Sequence, residues 1–163
     1  MDKIHINLGS DSYDILIDNG LVGRAGPAIR DLTGASKAAI ITEDGIDKLY
    51  GTDLVRSLED AGLQTQMIVV PSSDKSRNLH LINKVYGALA DFGLGSDDVL
   101  IALGGRVVGD ITGFTAATWH RGISYIQFPT SVLSQIGSSI GGKITLDLDQ
   151  GGRKNAGGTF YPP

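Results

Sequence analysis

The sequence contains no cysteine and few aromatic residues, which make up 6% of its 163 residues. Without cysteine, neither a disulfide framework nor thiolate ligation of a metal is possible, which fits a reducing compartment. No apolar run approaches the roughly 18 residues that span a bilayer, and the N-terminus lacks the basic, apolar and small-residue succession of a signal peptide. We therefore expect a cytoplasmic protein without a membrane partner.

An excess of positive charge is also missing. The 14 lysines and arginines are dispersed and are outnumbered by 18 aspartates and glutamates, which gives a net charge of −4. This argues against a nucleic-acid partner, while small anions remain possible wherever positive groups converge. Glycine, by contrast, is abundant, since its 23 residues are about double the usual share of roughly 7%. They are interleaved with Ile, Val and Leu, which disfavours low-complexity disorder.

The pattern of apolar residues predicts an α/β fold. Residues 5–8 and 13–17 alternate apolar and polar side chains around a GlySerAspSer turn, which predicts an amino-terminal β-hairpin. Four continuous apolar runs then alternate with stretches of helical spacing, as is typical of βαβ units around a parallel sheet. The predicted strands are 38–41, 66–70, 99–103 and 124–128, and the predicted helices are 21–32, 45–61, 77–91, 108–119 and a shorter one from 130. The sequence thus predicts a Rossmann-like parallel sheet flanked by helices, within one domain of residues 1–163.

The regular pattern stops after Ile140. It is followed by a short LeuAspLeuAsp alternation, a glycine-rich charged segment and a terminal TyrProPro. We expect the chain to end in loops. Because a charged, glycine-rich loop usually needs something to pack upon, we also expect the chain to be truncated before a second domain.

The segment LeuGlyGlyArgValValGlyAsp, residues 103–110, lies where a predicted strand gives way to a helix. The first amides of a helix have no intrahelical partner, and the helix dipole favours an anion beside them. A glycine there lets a ligand such as a diphosphate approach the backbone, because no Cβ stands in the way. A tight turn explains two adjacent glycines equally well.

Two further segments could contribute to a site. PheProThrSer at 128–131 is a second strand-to-helix junction, where Thr130 or Ser131 can cap the helix or offer a hydroxyl to a ligand. Ligands of open α/β sheets bind at the carboxyl ends of strands, where both junctions lie. Lys143, Lys154 and neighbouring glycines suit a phosphate or carboxylate, although solvated surface is the usual explanation of such charges. The three histidines show no metal-ligand spacing, so we expect no metal site from them.

The chain resembles the 3-dehydroquinate synthase family. The resemblance is strongest in LIALGGRVVGDITGFTAATWHRGISYIQFPTSVLSQIGSSIGGK, residues 100–143, and in KNAGGTFYPP, residues 154–163. Weaker similarity in YDILIDNGL and PSSDKSRNL extends it over nearly the whole chain. Related sugar-phosphate cyclases share this core, and glycerol dehydrogenases share its distant architecture.

The resemblance implies a fold, a reaction and cofactors. Members have an NAD-binding α/β domain followed by a helical domain, whose glutamate and two histidines bind zinc or cobalt and are absent from this chain. They convert 3-deoxy-D-arabino-heptulosonate 7-phosphate to 3-dehydroquinate and phosphate in the shikimate pathway of aromatic amino acid biosynthesis. Transient oxidation by NAD acidifies a C–H bond, so that a weak base can eliminate phosphate. The resemblance implies a small sugar-phosphate substrate, a homodimer, and an isolated chain without turnover.

The resemblance also implies roles for individual residues. Gly104 and Gly105 would line the NAD diphosphate, Asp110 would help to place the nicotinamide riboside, and Glu43 would meet the adenosine ribose. The other predicted cofactor contacts are Asp74, Arg77, Thr130, Ser131 and Lys143. The predicted substrate-facing or catalytic residues are Lys143, Lys154, Asn155 and Arg121, of which Arg121 would serve the substrate phosphate across a dimer interface.

Four residues depart from the family pattern. Arg106 replaces the third glycine of the junction, where its side chain would either obstruct the diphosphate or turn outward and contact a phosphate. Gly137 replaces an aspartate, Ile144 a threonine and Arg153 a glycine. These changes keep two alternatives open: a degenerate, non-catalytic nucleotide-fold module that serves assembly, and a related cyclase acting on another sugar phosphate.

Overall fold

The computed structural model describes residues 1–73, 76–148 and 152–163. The chain begins with an antiparallel hairpin, in which β1 (Asp2–Ile6) pairs with β2 (Tyr13–Ile17) and Ile4 lies opposite Ile15. The predicted amino-terminal hairpin is therefore confirmed.

A four-stranded parallel sheet follows, as the alternation of apolar runs and helices predicts. Its strands are β3 (Lys37–Glu43), β4 (Gln64–Val70), β5 (Val99–Gly104) and β6 (Ser124–Pro129), in the order β4-β3-β5-β6. All six residues of β5 are buried, because a central parallel strand is covered by helices on both faces. Since β4 and β5 lie on opposite sides of β3, the strand order reverses between β3 and β5.

Helices cover both faces of the sheet and form two apolar cores. The helices are α1 (Gly26–Thr33), α2 (Thr52–Asp60), α3 (Leu79–Phe92), α4 (Arg106–Thr118) and the short α5 (Val132–Gly137). One core joins Ala39, Ile41, Leu100 and Ala102 to α3 and α4, and the other joins Ala38, Ile40, Val99 and Ile101 to α1 and α2. Successive strand residues point to opposite faces, which explains the division.

Close contacts hold the helices and strand ends in place. Gly26 donates its N–H to the Ser57 hydroxyl at 2.9 Å, where α1 and α2 approach each other. At the opposite end of the sheet the Asp98 carboxylate accepts N–H bonds from Lys37 at 2.9 Å and from Gly95 at 2.8 Å. Asp98 thereby ties the start of β3 to the loop before β5.

The carboxyl-terminal region differs from the prediction that the chain ends in loops, which is wrong. Residues Lys143–Leu148 form β7, which pairs antiparallel with β8 (Arg153–Phe160). In β7, Ile144 and Leu146 are buried while the intervening residues are more exposed, and this alternation is the period of a strand. Ile144 packs where Gly113 of α4 has no side chain, since a Cβ there would lie 2.5 Å from Ile144 Cδ1. Packing on α4 therefore stabilises a hairpin whose second strand is too glycine-rich to be recognised alone.

The boundaries of the helices also differ from the prediction. The helix expected at 21–32 is a 3-10 turn (Val22–Arg24) followed by α1, whose first turn contains Pro27 as helix starts favour. The helix expected from residue 45 opens with a π-helical turn (Asp47–Gly51) before α2. The helix expected from Val108 begins two residues earlier, so Arg106 is helical. In the part of the chain that the structure describes, no helix has the length and apolar character needed to cross a bilayer.

Candidate functional site

The ends of three neighbouring strands bring together Glu43, Gly104, Gly105, Thr130 and Ser131, and the position just outside these strand ends is called here the strand-tip crevice. Glu43 ends β3, Gly104 ends β5, and Thr130 follows β6. The Gly105 N–H donates to Glu43 Oε1 at 3.1 Å, and the Thr130 N–H donates to the Gly104 carbonyl at 3.0 Å. The crevice lies at the reversal of strand order, where open α/β sheets bind their ligands.

The two glycines of the crevice are required for different reasons. A Cβ at Gly104 would lie 2.7 Å from Val108 Cγ2, so this glycine allows α4 to pack against the end of β5. A Cβ at Gly105 would lie 3.3 Å from Glu43 Oε1 and 3.9 Å from Ser131 Oγ, so it would enter the crevice itself. Gly105 begins α4 without a side-chain cap, and the carboxylate of Glu43 supplies the negative charge that a helix N-terminus favours.

Ser131 caps α5. Its hydroxyl accepts the Ser134 N–H at 3.2 Å, and the Ser134 hydroxyl accepts the Ser131 N–H at 3.1 Å, which forms a capping box. Of the two roles considered for this junction, the cap is the one that the structure contains. A contact of Thr130 or Ser131 with a cofactor stays a prediction.

Arg77, which precedes α3, forms a buried ion pair with Asp110, the fifth residue of α4. Arg77 is 4% exposed and Asp110 2% exposed, and Arg77 Nη1 lies 2.8 Å from Asp110 Oδ2. The same Nη1 contacts Thr145 Oγ1 at 3.0 Å and Asn155 Oδ1 at 3.2 Å, while Nη2 lies 3.5 Å from Asp147 Oδ2. Asp110 also accepts the Thr145 N–H at 3.1 Å. This network fastens the β7–β8 hairpin to α4 and to the segment before α3.

Beside this network is a cleft of about 310 Å³, lined by Arg106, Asp110, Leu133, Gly137, Ser138, Lys143, Thr145 and Asn155. Lys143 and Thr145 are two residues apart on β7 and share the face that turns away from the core. The structure therefore brings together Asp110, Lys143 and Asn155, which the sequence predicts as site residues. Arg106 turns toward Asp110, with its Nε 3.7 Å from Asp110 Oδ2.

Two tyrosines support the walls of the cleft. Tyr13 of the amino-terminal hairpin donates its hydroxyl to the Ser139 carbonyl at 2.6 Å and accepts the Gly141 N–H at 3.0 Å, which holds the loop before Lys143. Tyr125 on β6 donates to the Gly109 carbonyl at 3.2 Å. Burial raises the pKa of Tyr125, and the charge of Asp110 adds to this effect, while a hydrogen bond from Gln127 opposes it in part.

Two predicted residues lie outside both the strand-tip crevice and the cleft, and a third is not described. Arg121 lies past the carboxyl end of α4, and this 13-residue helix separates it from Gly105 by about 20 Å. Lys154 is exposed on β8 and does not line the cleft. Asp74 lies outside the described residues. The roles of all three stay predictions.

Thr145 and Asp147 are site residues that the sequence reasoning missed. Both belong to the polar face of β7, and the alternation of LysIleThrLeuAspLeu was the signal for them. Their partner Arg77 is 68 residues away from Thr145 in the sequence, which is why spacing alone could not pair them.

The described ranges, 1–73, 76–148 and 152–163, contain no group of three His, Asp or Glu side chains that could hold a metal ion. His5 instead pairs with Asp14 at 2.9 Å, and His120 lies 3.3 Å from the Leu94 carbonyl. The chemistry available in the cleft is thus anion binding by cations, and hydrogen bonding by amide and hydroxyl groups.

Comparison with solved structures shows where this fold recurs. A 2-epi-5-epi-valiolone synthase from Streptomyces hygroscopicus, solved with NAD+ and Zn2+, is 26% identical with a TM-score of 0.79, over 96% of this chain and 42% of its own. A 2-deoxy-scyllo-inosose synthase, solved with carbaglucose-6-phosphate, NAD+ and Co2+, has a TM-score of 0.88 at 16% identity, over 99% of this chain and 43% of its own. The second likeness concerns the fold alone.

Comparison of sequences gives the family. The 3-dehydroquinate synthases of Clostridium acetobutylicum and Clostridium kluyveri are 45% and 40% identical to this chain over all of its 163 residues. The chain spans less than half of these relatives, 45% of the length of each. A profile described as 3-dehydroquinate synthase N-terminal matches residues 67–163. The chain therefore belongs to the 3-dehydroquinate synthase family, and what matches is the family's amino-terminal part.

Proposed function

We propose that this chain is the NAD-binding part of a 3-dehydroquinate synthase, an enzyme that converts 3-deoxy-D-arabino-heptulosonate 7-phosphate to 3-dehydroquinate and phosphate. The observation that carries the proposal is the strand-tip crevice, which lies at the reversal of strand order, next to a cleft that Arg106, the residue after Gly105, lines together with lysine and asparagine side chains. The sequence identity to two enzymes of this name supports the same reaction.

The residues of the crevice fit a dinucleotide. Because Gly105 has no Cβ, a ligand can approach its backbone, and the Gly105 N–H, which bonds the Glu43 carboxylate at 3.1 Å, would bond a diphosphate oxygen in its place. Glu43 offers a carboxylate to ribose hydroxyls at the neighbouring strand end, as in other dinucleotide-binding sheets. Bound there, NAD supplies reversible oxidation of a substrate alcohol.

The cleft residues would bind and orient the sugar phosphate. Lys143 and Asn155 line the cleft from β7 and β8, and they can hold a phosphate or hydroxyl groups in position. Asp110 is held by Arg77 and Thr145, so it presents a fixed carboxylate edge to this space. A fixed donor and acceptor set is what a reacting sugar needs in order to be held in one orientation.

The metal of the enzyme is not assigned to this chain. The described residues offer no cluster of ligands for zinc or cobalt, so we propose no metal-binding residue here and no turnover by the chain alone. We further propose a homodimer in which Arg121 reaches the substrate phosphate of the partner's site. The absence of cysteine is consistent with a cytoplasmic enzyme.

Calorimetric titration with NAD tests the proposal. The Gly105→Ala variant keeps an ordinary backbone, since φ at Gly105 is −82°, but it fills the crevice and should weaken NAD binding about tenfold or more. Gly87→Ala is the matched control, because a Cβ at Gly87 meets nothing within 4 Å. Equal NAD affinity for all three proteins, or no NAD binding by the original chain, would contradict the proposal and favour a non-catalytic module.

Phosphate release tests the reaction itself. The chain alone should release no phosphate from 3-deoxy-D-arabino-heptulosonate 7-phosphate. Mixing it with the portion of the Clostridium acetobutylicum relative that it does not cover should restore release. Turnover by the chain alone would show that the cleft is catalytically sufficient and would refute the assignment of the metal to other residues.

A further inference from the structure

Arg106 stands beside the cleft with a guanidinium that its neighbours hold only loosely. Its side chain is 47% exposed, and Nη2 lies 3.5 Å from Thr145 Oγ1 and 3.4 Å from Asn155 Oδ1. Its Nε lies 3.7 Å from Asp110 Oδ2. All three distances exceed the 2.7–3.2 Å of a well-formed N–H to oxygen hydrogen bond. A guanidinium carries five N–H donors, so most of its capacity is unused.

The carboxylate nearest to Arg106 already has closer partners. Asp110 Oδ2 lies 2.8 Å from Arg77 Nη1 and 3.2 Å from Thr145 Oγ1, and Oδ1 accepts the Thr145 N–H at 3.1 Å. The buried Arg77 therefore compensates the charge of Asp110. The charge of Arg106 is therefore available to a ligand at the half-exposed mouth of the cleft.

Lys143 brings a second cation to the same cleft. It is exposed, and in the described part of the chain no carboxylate lies within 4.0 Å of its ammonium group. Lys143 and Thr145 point to the same face of β7, about 7 Å apart along the strand. Because Thr145 touches Arg106, the guanidinium and the ammonium group flank one space.

We propose that Arg106 and Lys143 together bind a phosphate group in this cleft. A guanidinium matches two phosphate oxygens at once, and an ammonium group adds a compact charge from the other side. Arg106, whose side chain contacts Asp110, Thr145 and Asn155, then acts as a binding residue and not as an obstruction of the strand-tip crevice. The phosphate site follows from the charges alone, whereas the molecule that carries the phosphate rests on the proposed function. That molecule is either the sugar phosphate or the dinucleotide.

Titration with inorganic phosphate tests the site. The original chain should bind phosphate, and Arg106→Gln and Lys143→Gln should each weaken that binding about tenfold or more. The phosphate affinity of Arg106→Lys should lie between those of the original chain and Arg106→Gln, because lysine keeps the charge and loses the two-oxygen contact. Arg56→Gln is the matched control, since Arg56 is an exposed helical arginine on α2 outside the cleft, and it should leave the affinity unchanged. Circular dichroism checks that each variant is folded.

Competition identifies the source of the phosphate. If NAD displaces inorganic phosphate and Arg106→Gln weakens NAD, the site holds a phosphate of the dinucleotide. If NAD and phosphate bind together and only phosphate responds to Arg106→Gln, the site serves the sugar phosphate. Phosphate binding that depends on Arg106 without any NAD binding would keep this site and refute the proposed function. No phosphate binding, equal affinity in Arg106→Gln, or tighter NAD binding with unchanged phosphate binding would overturn the proposal.

Discussion

Replacing Asp110 with asparagine should destabilise the fold strongly, because it leaves the guanidinium of Arg77 buried without its closest carboxylate. Arg77 is 4% exposed, and its Nη1 lies 2.8 Å from Asp110 Oδ2. Removing one partner of a buried ion pair costs about 3–5 kcal/mol. Asp147, 3.5 Å from Arg77 Nη2, retains part of the compensation, so we expect the lower end of this range, about 3 kcal/mol.

Urea unfolding followed by circular dichroism measures this effect. The midpoint should fall with little change in slope, and the melting temperature should fall by about 6–12 °C for a domain of this size. Asp44→Asn is the matched control, because the Asp44–Lys48 ion pair is 72% exposed on both sides and contributes little in water. The double variant Arg77→Gln with Asp110→Asn should lose less than the sum of the two single losses. Additive losses, or a loss no larger than that of Asp44→Asn, would refute a buried ion pair at this position.

Three further substitutions test contacts that hold the fold together. Asp98→Asn should flatten the acid limb of the curve of stability against pH. Burial raises the pKa of Asp98, but hydrogen bonds from three N–H groups and a hydroxyl together lower it by more, so the net shift is downward. The stability that this carboxylate contributes is complete above its ordinary pKa of about 3.9 and is lost as the pH falls through the lowered value, which urea midpoints between about pH 2 and 6 will follow. Gly26→Ala places a Cβ 1.9 Å from the Ser57 carbonyl oxygen and should cost about 3 kcal/mol in urea unfolding. Tyr13→Phe removes the acceptor of the Gly141 N–H and should cost about 1 kcal/mol, with faster hydrogen exchange at that amide.

Each of these has an outcome that would contradict it. A pH curve of Asp98→Asn with the same acid limb as the original chain would show that other carboxylates cause the loss. Gly87→Ala is the control for Gly26→Ala and should stabilise α3 by up to about 1 kcal/mol, because alanine favours helix more than glycine does. Equal effects of the two alanines would show that α1 and α2 separate freely. Unchanged exchange at Gly141 would mean that the hairpin does not hold its loop.

The parallel sheet could be predicted because its signal is local. The run from Val99 to Gly104 is apolar throughout, and such a run is explained only by burial on both faces. The strand-tip crevice followed from the same signal, since the glycines after β5 and the hydroxyl residues after β6 lie at the same edge of one sheet. The resemblance to the family then added Glu43, which is the last residue of β3, and its contact with a ribose stays a prediction.

The β7–β8 hairpin and the Arg77 network could not be predicted in this way. Alternation in β7 covers only six residues, and β8 contains two adjacent glycines whose preference for a strand is weak. Arg77 meets Asp110 across 33 residues and Asn155 across 78, and charge pairs at such separations leave no periodic trace. Their positions depend on tertiary packing, which composition and spacing do not encode.

The contact between Glu43 and the Gly105 N–H has a consequence for any ligand of the strand tips. The Gly105 N–H at this helix N-terminus already has a carboxylate partner from the chain itself. An anion that bonds this N–H exchanges places with the Glu43 carboxylate, so its measured affinity reflects the difference between two contacts, not the strength of one. Ribose hydroxyls next to the anion would give the displaced carboxylate new hydrogen-bond donors. A nucleotide can therefore both replace the carboxylate at the Gly105 N–H and give Glu43 new hydrogen-bond donors, whereas a bare anion does only the first.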